Sequence, residues 1–173
     1  TIDHQLKRAQ SAGHSSWLLG IEIKPIADKL LNTLAKIYQD KGNILTSHLT
    51  DGLTFKGDEA DFLELLGNLL DNAYKAAKSK ITLTIKRQDS RLVIIVEDDG
   101  IGIAKKERNL VFEPFKRLDA SRDRQSGGYG LGLAIVKQIS NWHQGDVEIT
   151  TSKLGGAKIT VSIPKQVTDY DDC

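Results

Sequence analysis

The run Leu92-Val93-Ile94-Ile95-Val96-Glu97 is apolar almost without interruption and stops at Asp98-Asp99-Gly100-Ile101-Gly102. A short, β-branched run of this kind reads as a central strand covered on both faces, and its polar, glycine-containing stop places a turn at the strand end. Such a strand needs hydrogen-bonding partners at both edges and a layer to bury it. The flanking sequence supplies both. Residues 81–87 alternate cleanly and join the run through the polar turn 88–91, while 146–151 and 157–163 read as two more strands. Residues 43–49 and 53–55 read as edge strands, and a short strand is expected around Leu19, Ile21 and Ile23. Three helical segments interrupt them. Residues 25–41 carry Ile26, Leu30, Leu34 and Ile37 on one face and stop at Gly42; a second helix runs from Asp58, a good N-cap, to about 79; a third, 131–142, ends at Gly145. The expectation is a two-layer α/β sandwich: a mixed sheet with three helices on one face.

Composition narrows the partners. Lys plus Arg (24) nearly equals Asp plus Glu (23), so the chain as a whole is not drawn to nucleic acid or to an anionic membrane. Cys173 is the single cysteine, which excludes a disulfide framework and a cysteine metal cluster. No apolar run approaches the ~18 residues needed to span a bilayer, and a reducing cytoplasm fits. A chain without Met that starts at Thr1 reads as a segment of a longer protein. Three regions are expected: 1–15, the end of a polar helix (Ile2, Leu6 and Ala9 on one face) with a linker; a main domain, 16–165; and a polar tail, 166–173.

On the second helix Glu64, Asn68, Asp71, Asn72 and Lys75 fall within roughly a 100° arc, opposite an apolar face of Phe62, Leu66, Leu69, Ala73 and Ala76. A solvated face is the ordinary meaning of such a stripe, yet two Asn at i and i+4 are poor choices for an exposed helix, because their side chains compete with the backbone. Carboxamides beside a carboxylate and an ammonium suit a hydrated metal ion and phosphates. A carboxylate one turn upstream can orient or deprotonate an attacking group.

Two glycine-rich segments flank a long charged loop. In Asp98-Asp99-Gly100-Ile101-Gly102 a carboxylate at a strand end can accept a hydrogen bond from an exocyclic amine, and the glycines let backbone approach a ligand. The second segment, Gly127-Gly128-Tyr129-Gly130-Leu131-Gly132-Leu133, leads into a helix, so its N–H groups and the helix N-terminus form a phosphate cradle. It lacks the Lys-Ser or Lys-Thr of a Walker A loop. Neutralising charge must come from Lys75 or from Lys116, Arg117, Arg122 and Arg124 in the loop between, which is too long to be a mere connection and reads as a lid.

Taken in order, Asn68 to Lys75, Asp98 to Gly102, Phe112-Glu113-Pro114-Phe115, Gly128 to Leu133 and Leu154-Gly155-Gly156-Ala157 resemble the N, G1, F, G2 and G3 boxes of sensor histidine kinases, in the GHKL (Bergerat) ATPase superfamily. Lys36-Ile37-Tyr38, the Leu-Gly-Gly-Ala segment and His4 to Ala9 look most like the PhoQ type, with the RstB type second. The resemblance implies the Bergerat fold and a catalytic ATP-binding domain that uses ATP and Mg²⁺. It implies that Asn68 ligates Mg²⁺, that Asn72, Lys75 and Arg117 contact phosphates, and that Asp98 binds the adenine amine. Gly100 and Gly102 would pass beside the base, and Gly128, Gly130 and Gly132 would cradle phosphates. Glu64 would assist proton transfer from an acceptor histidine, and Phe112 and Phe115 would pack the lid or simply anchor the core. The family often has an aromatic residue after the N-box lysine; Ala76 stands there, which implies either weaker adenine packing or packing supplied by Ile103 and Leu131. None of His4, His14, His48 and His143 has the acidic and Pro neighbours of a phosphoacceptor, and all four read as surface or partly packed. The acceptor is then expected outside this segment, on the protein's own dimerisation domain, with residues 1–15 its tail. The resemblance further implies a response regulator as partner and a homodimeric inner-membrane sensor with this domain in the cytoplasm. A non-catalytic ATP-binding regulatory module is the alternative, and retention of Glu64 argues against it.

Overall fold

The computed structural model describes residues 20–113 and 132–165. They form, in chain order, β1 (Ile21–Glu22), α1 (Ile23–Ile37), β2 (Ile44–Leu49), β3 (Thr54–Phe55), α2 (Glu59–Ala76), β4 (Lys80–Gln88), β5 (Arg91–Asp98), α3 (Gly132–Trp142), β6 (Asp146–Thr151) and β7 (Ala157–Pro164). The expected flanking regions 1–15 and 166–173 lie outside the described residues.

Five strands form one sheet in the order β2-β4-β5-β7-β6, and β1 pairs with β3 in a separate two-stranded ribbon. β2 runs parallel to β4 and every other pair is antiparallel, so the sheet is mixed, as expected. Residues 53–55 read as an edge strand, and β3 is one, with β1 as its partner and not a strand of the main sheet; its N-terminal neighbour Leu53 accepts the Ile23 N–H at the start of α1.

β5 is the middle strand, with Ile94 in register between Ile85 of β4 and Val161 of β7. Leu92, Ile94 and Val96 point into the core and are buried. The other face of β5 is not covered by a second layer of the described helices, which corrects the reading of a doubly covered strand. Val93 lies between Lys86 and Ser162, and Ile95 between Thr84 and Thr160, so the stems of polar neighbours shade these apolar residues. β4 and β7 alternate buried with partly exposed residues, and it is their alternation that sets the open face of the sheet.

α2 lies between α1 and α3 and packs on β5. Asp58 caps it, its side chain accepting the Ala60 N–H at 2.9 Å. Phe62, Leu65, Leu66, Leu69 and Leu70 on this helix are fully buried, which ties it to the core more strongly than any propensity. α1 ends at Ile37, not at 41: a 3₁₀ turn over Gln39–Lys41 continues it, and Gly42 reverses the chain at φ 69°. The β4–β5 turn places Asp89 and Ser90 at φ 51° and 63°, the two-residue geometry whose twist matches a hairpin.

Candidate functional site

The C-terminal end of β5 meets the end of α2 and the start of β7. Asp98 is 2% exposed there. Its Oδ1 accepts the N–H groups of Gly100 at 2.8 Å and Ala157 at 3.3 Å, and its carbonyl accepts that of Gly156 at 3.1 Å. Burial pushes its carboxyl above the ordinary value, with the Gly100 and Ala157 N–H groups pulling the other way. Only glycine permits this convergence. A Cβ on Gly100 would come within 2.3 Å of the Ala76 carbonyl oxygen, and one on Gly156 within 2.1 Å of Asp98 Oδ1. Gly102, at φ 76°, passes against Gly156, and Ile103 is buried just beyond it.

Asp99 has a different task from Asp98. It accepts the Lys78 N–H at 2.8 Å, the Ser79 N–H at 3.0 Å and the Ser79 hydroxyl at 2.9 Å. Burial works to raise its carboxyl, but these donors, with the Lys80 N–H, hold it at about 2. Asp99 therefore fixes the junction between α2 and β4 against the turn that carries Asp98.

Across from this turn, α2 presents the polar stripe. The Asn68 amide Nδ2 donates to the Glu64 carbonyl at 2.7 Å, which orients Oδ1 outward. A Cβ on Gly132 would stand 3.2 Å from that oxygen, so the first residue of α3 and the Asn68 carboxamide share one small space. An outward carboxamide oxygen beside a helix N-terminus fits a hydrated divalent cation paired with phosphates. Asn72 is 5% exposed, deeper than a surface stripe requires. Asp71 Oδ2 lies 3.0 Å from Lys75 Nζ, and the Tyr38 hydroxyl donates to Asp71 Oδ1. Lys41 Nζ donates to the Tyr74 carbonyl at 2.5 Å, placing a cation at the C-terminal end of α2.

Of the residues read from the sequence, Glu64, Asn68, Asn72 and Lys75 share α2, Asp98, Gly100, Gly102 and Ile103 share the strand-end turn, and Gly132 joins Asn68. Arg117, Gly128, Gly130 and Leu131, with the lid that holds most of them, lie outside the described residues. Phe112 packs against the core with Lys137 Nζ 5.6 Å from its ring centroid; Phe115 is not among the described residues. His48 is exposed as expected, whereas His143 is not: it is 3% exposed, 4.9 Å from the Phe55 ring centroid and 3.7 Å from Asp61 Oδ2. The reading of His143 as surface or partly packed is thus corrected; the short β1–β3 ribbon brings Phe55 over the end of α3. The reading also passed over Gly156 as a site residue, although the Leu-Gly-Gly-Ala match signalled it, and Tyr38, which no local spacing connects to Asp71. Among the described residues, no group of three or more His, Cys, Asp or Glu side chains could hold a metal, and no helix is long and apolar enough to cross a membrane.

Residues 57–167 match the family described as histidine kinase-, DNA gyrase B-, and HSP90-like ATPase. The virulence sensor histidine kinase PhoQ of Salmonella typhimurium is 37% identical over 168 residues, which is 95% of this chain and 34% of PhoQ. The chain thus spans about a third of the length of the curated relatives it matches. Among solved structures, mycobacterial sensor histidine kinase MprB aligns over 83% of this chain and 95% of its own, at 26% identity and a TM-score of 0.71. Full-length ShkA in complex with AMPPNP aligns over 84% of this chain and 30% of its own, at 27% identity and a TM-score of 0.70. The chain belongs to the histidine kinase-, DNA gyrase B- and HSP90-like ATPase family, and within it is an ATP-binding catalytic domain of the PhoQ-like sensor histidine kinase type.

Proposed function

We propose that this domain binds ATP with Mg²⁺ and presents its γ-phosphoryl group to a histidine on the dimerisation domain of the same protein, for relay to a response regulator. The observation that carries the reading is the buried Asp98 carboxylate at the end of the central strand, with glycines on both sides and the Asn68–Gly132 contact beyond it. Asp98 accepts the adenine amine, and Gly100, Gly102 and Ile103 line the base. Asn68 Oδ1 holds Mg²⁺, which supplies charge neutralisation on the phosphates when bound. Asn72, Lys75, the N–H groups at Gly132 and the residues Arg117, Gly128, Gly130 and Leu131 contact phosphates or base. Glu64, one turn before Asn68, takes the proton from the attacking imidazole. Most of the rate enhancement comes from positioning and electrostatics. The complete protein is a homodimeric inner-membrane sensor with this domain on the cytoplasmic side.

Titration with ATP, ADP and GTP tests the reading. ATP and ADP bind, and GTP, which carries a carbonyl where adenine has its amine, binds at least tenfold more weakly, on the order of 1.4 kcal/mol. Asp98→Asn reduces the preference. Equal binding of GTP by the unaltered chain removes Asp98 from the role assigned here.

A further inference from the structure

We infer that Tyr38 is a positioning residue for nucleotide binding, acting through Asp71 on Lys75. The inference rests on the proposed contact between Lys75 and phosphate.

Tyr38 stands at the C-cap of α1, far from the glycine turns in sequence, yet its ring stacks on Tyr74 of α2 with centroids 4.7 Å apart and planes 5° from parallel. Tyr74 is itself 3% exposed, and its carbonyl receives Lys41 Nζ at 2.5 Å and Asn43 Nδ2 at 3.4 Å. The segment from Tyr38 to Asn43 is thereby fastened to the last turn of α2, and the Tyr38 hydroxyl has little freedom. It donates to Asp71 Oδ1, while Oδ2 of the same carboxylate faces Lys75 Nζ at 3.0 Å. One carboxylate is divided between a fixed hydroxyl and a mobile ammonium. Burial, and then Asp71, push the Tyr38 hydroxyl above its ordinary range, so it remains a donor throughout the working pH range.

The two bonds are unequal in kind. Asp71 and Lys75 are an i,i+4 pair with side chains 41% and 39% exposed, a class of ion pair that contributes little and exchanges partners readily. Lys75 can leave it for a phosphate. When it does, Asp71 becomes a carboxylate close to an incoming polyanion, and the Tyr38 hydroxyl is what keeps that carboxylate satisfied and turned toward α1. Without the hydroxyl, Asp71 holds Lys75 more tightly and stays free to swing toward the phosphates; both effects oppose nucleotide binding.

The experiment compares binding of ATP and of adenosine by the intact chain, Tyr38→Phe, Asp71→Asn, the double variant and Lys75→Gln. Phe keeps the stacked ring, so the fold is retained. Tyr38→Phe is expected to weaken ATP roughly three- to tenfold, the net scale of one ordinary hydrogen bond, and to leave adenosine unchanged. Asp71→Asn in the Tyr38→Phe background is expected to restore most of the loss. The inference is overturned if Tyr38→Phe binds ATP as the intact chain does, if it weakens adenosine equally, or if Asp71→Asn restores nothing. Lys75→Gln separates the two layers. If it weakens ATP while Tyr38→Phe does not, the inference alone fails; if it leaves ATP binding unchanged, the Lys75–phosphate contact fails and the inference with it.

Discussion

A methyl group on Gly156 would lie 2.1 Å from Asp98 Oδ1 and 2.5 Å from the Gly100 nitrogen, atoms that are held by each other and have nowhere to move. Gly156→Ala is therefore expected to destabilise the domain by about 1–3 kcal/mol, the usual scale of overpacking, and to weaken ATP binding as the Asp98 turn shifts. Gly67 is the counterpart. It sits inside α2, where a methyl group would meet no described atom within 4 Å, so Gly67→Ala is expected to stabilise by about 0.5–1 kcal/mol. Urea unfolding of the two variants checks both, and a Gly156→Ala protein as stable as the parent would show that the turn yields. Nothing in the amino-acid order distinguishes these glycines by need. Gly156 stands in a recognisable Leu-Gly-Gly-Ala segment, but what forbids its Cβ is a strand end 58 residues earlier.

Asp99 acts on elements rather than on ligand, since it ties the α2–β4 junction to the end of β5. Its carboxyl, held at about 2 against an ordinary 3.8, is below its unfolded value. Stability from this group is thus fully present above about pH 4 and is lost as the pH falls toward 2. Asp99→Asn should be less stable than the parent at neutral pH, with the gap closing across that window in urea unfolding at stepped pH; a gap independent of pH would discount the carboxylate. The elements themselves were largely legible in the sequence. Alternation in residues 81–87, the apolar run before Asp98 and the Asp58 cap fix β4, β5 and α2 to within a few residues. Pairing was less so, because the short apolar pattern of residues 53–55 marks an edge strand without naming β1 as its partner. The burial of His143 was hidden for the same reason, its cover coming from Phe55 on that ribbon. The polar stripe was visible from periodicity alone, whereas the Tyr38–Asp71 bond spans 33 residues and could not be.

At the scale of the molecule, the proposed site runs along α2 from Glu64 to the Asp98 turn at its C-terminal end, and no described histidine has the neighbours of a phosphoacceptor. Incubated alone with labelled ATP, the chain is expected to stay unphosphorylated; adding the dimerisation domain as a separate chain should produce weak transfer, because effective concentration is lost with the tether. Glu64→Gln should slow that transfer at least tenfold while changing ATP affinity little, consistent with the scale of general base catalysis. Transfer at the parent rate would remove Glu64 from the chemistry. The shared use of Asp98 has a consequence for chemical intervention. The side chain proposed to recognise the base also holds the N–H groups of Gly100 and Ala157, and the Asp98 carbonyl holds that of Gly156. A small molecule that competes for the pocket by hydrogen-bonding this carboxylate would leave few routes to resistance, since a substitution that evades the compound also loosens the turn on which the domain closes.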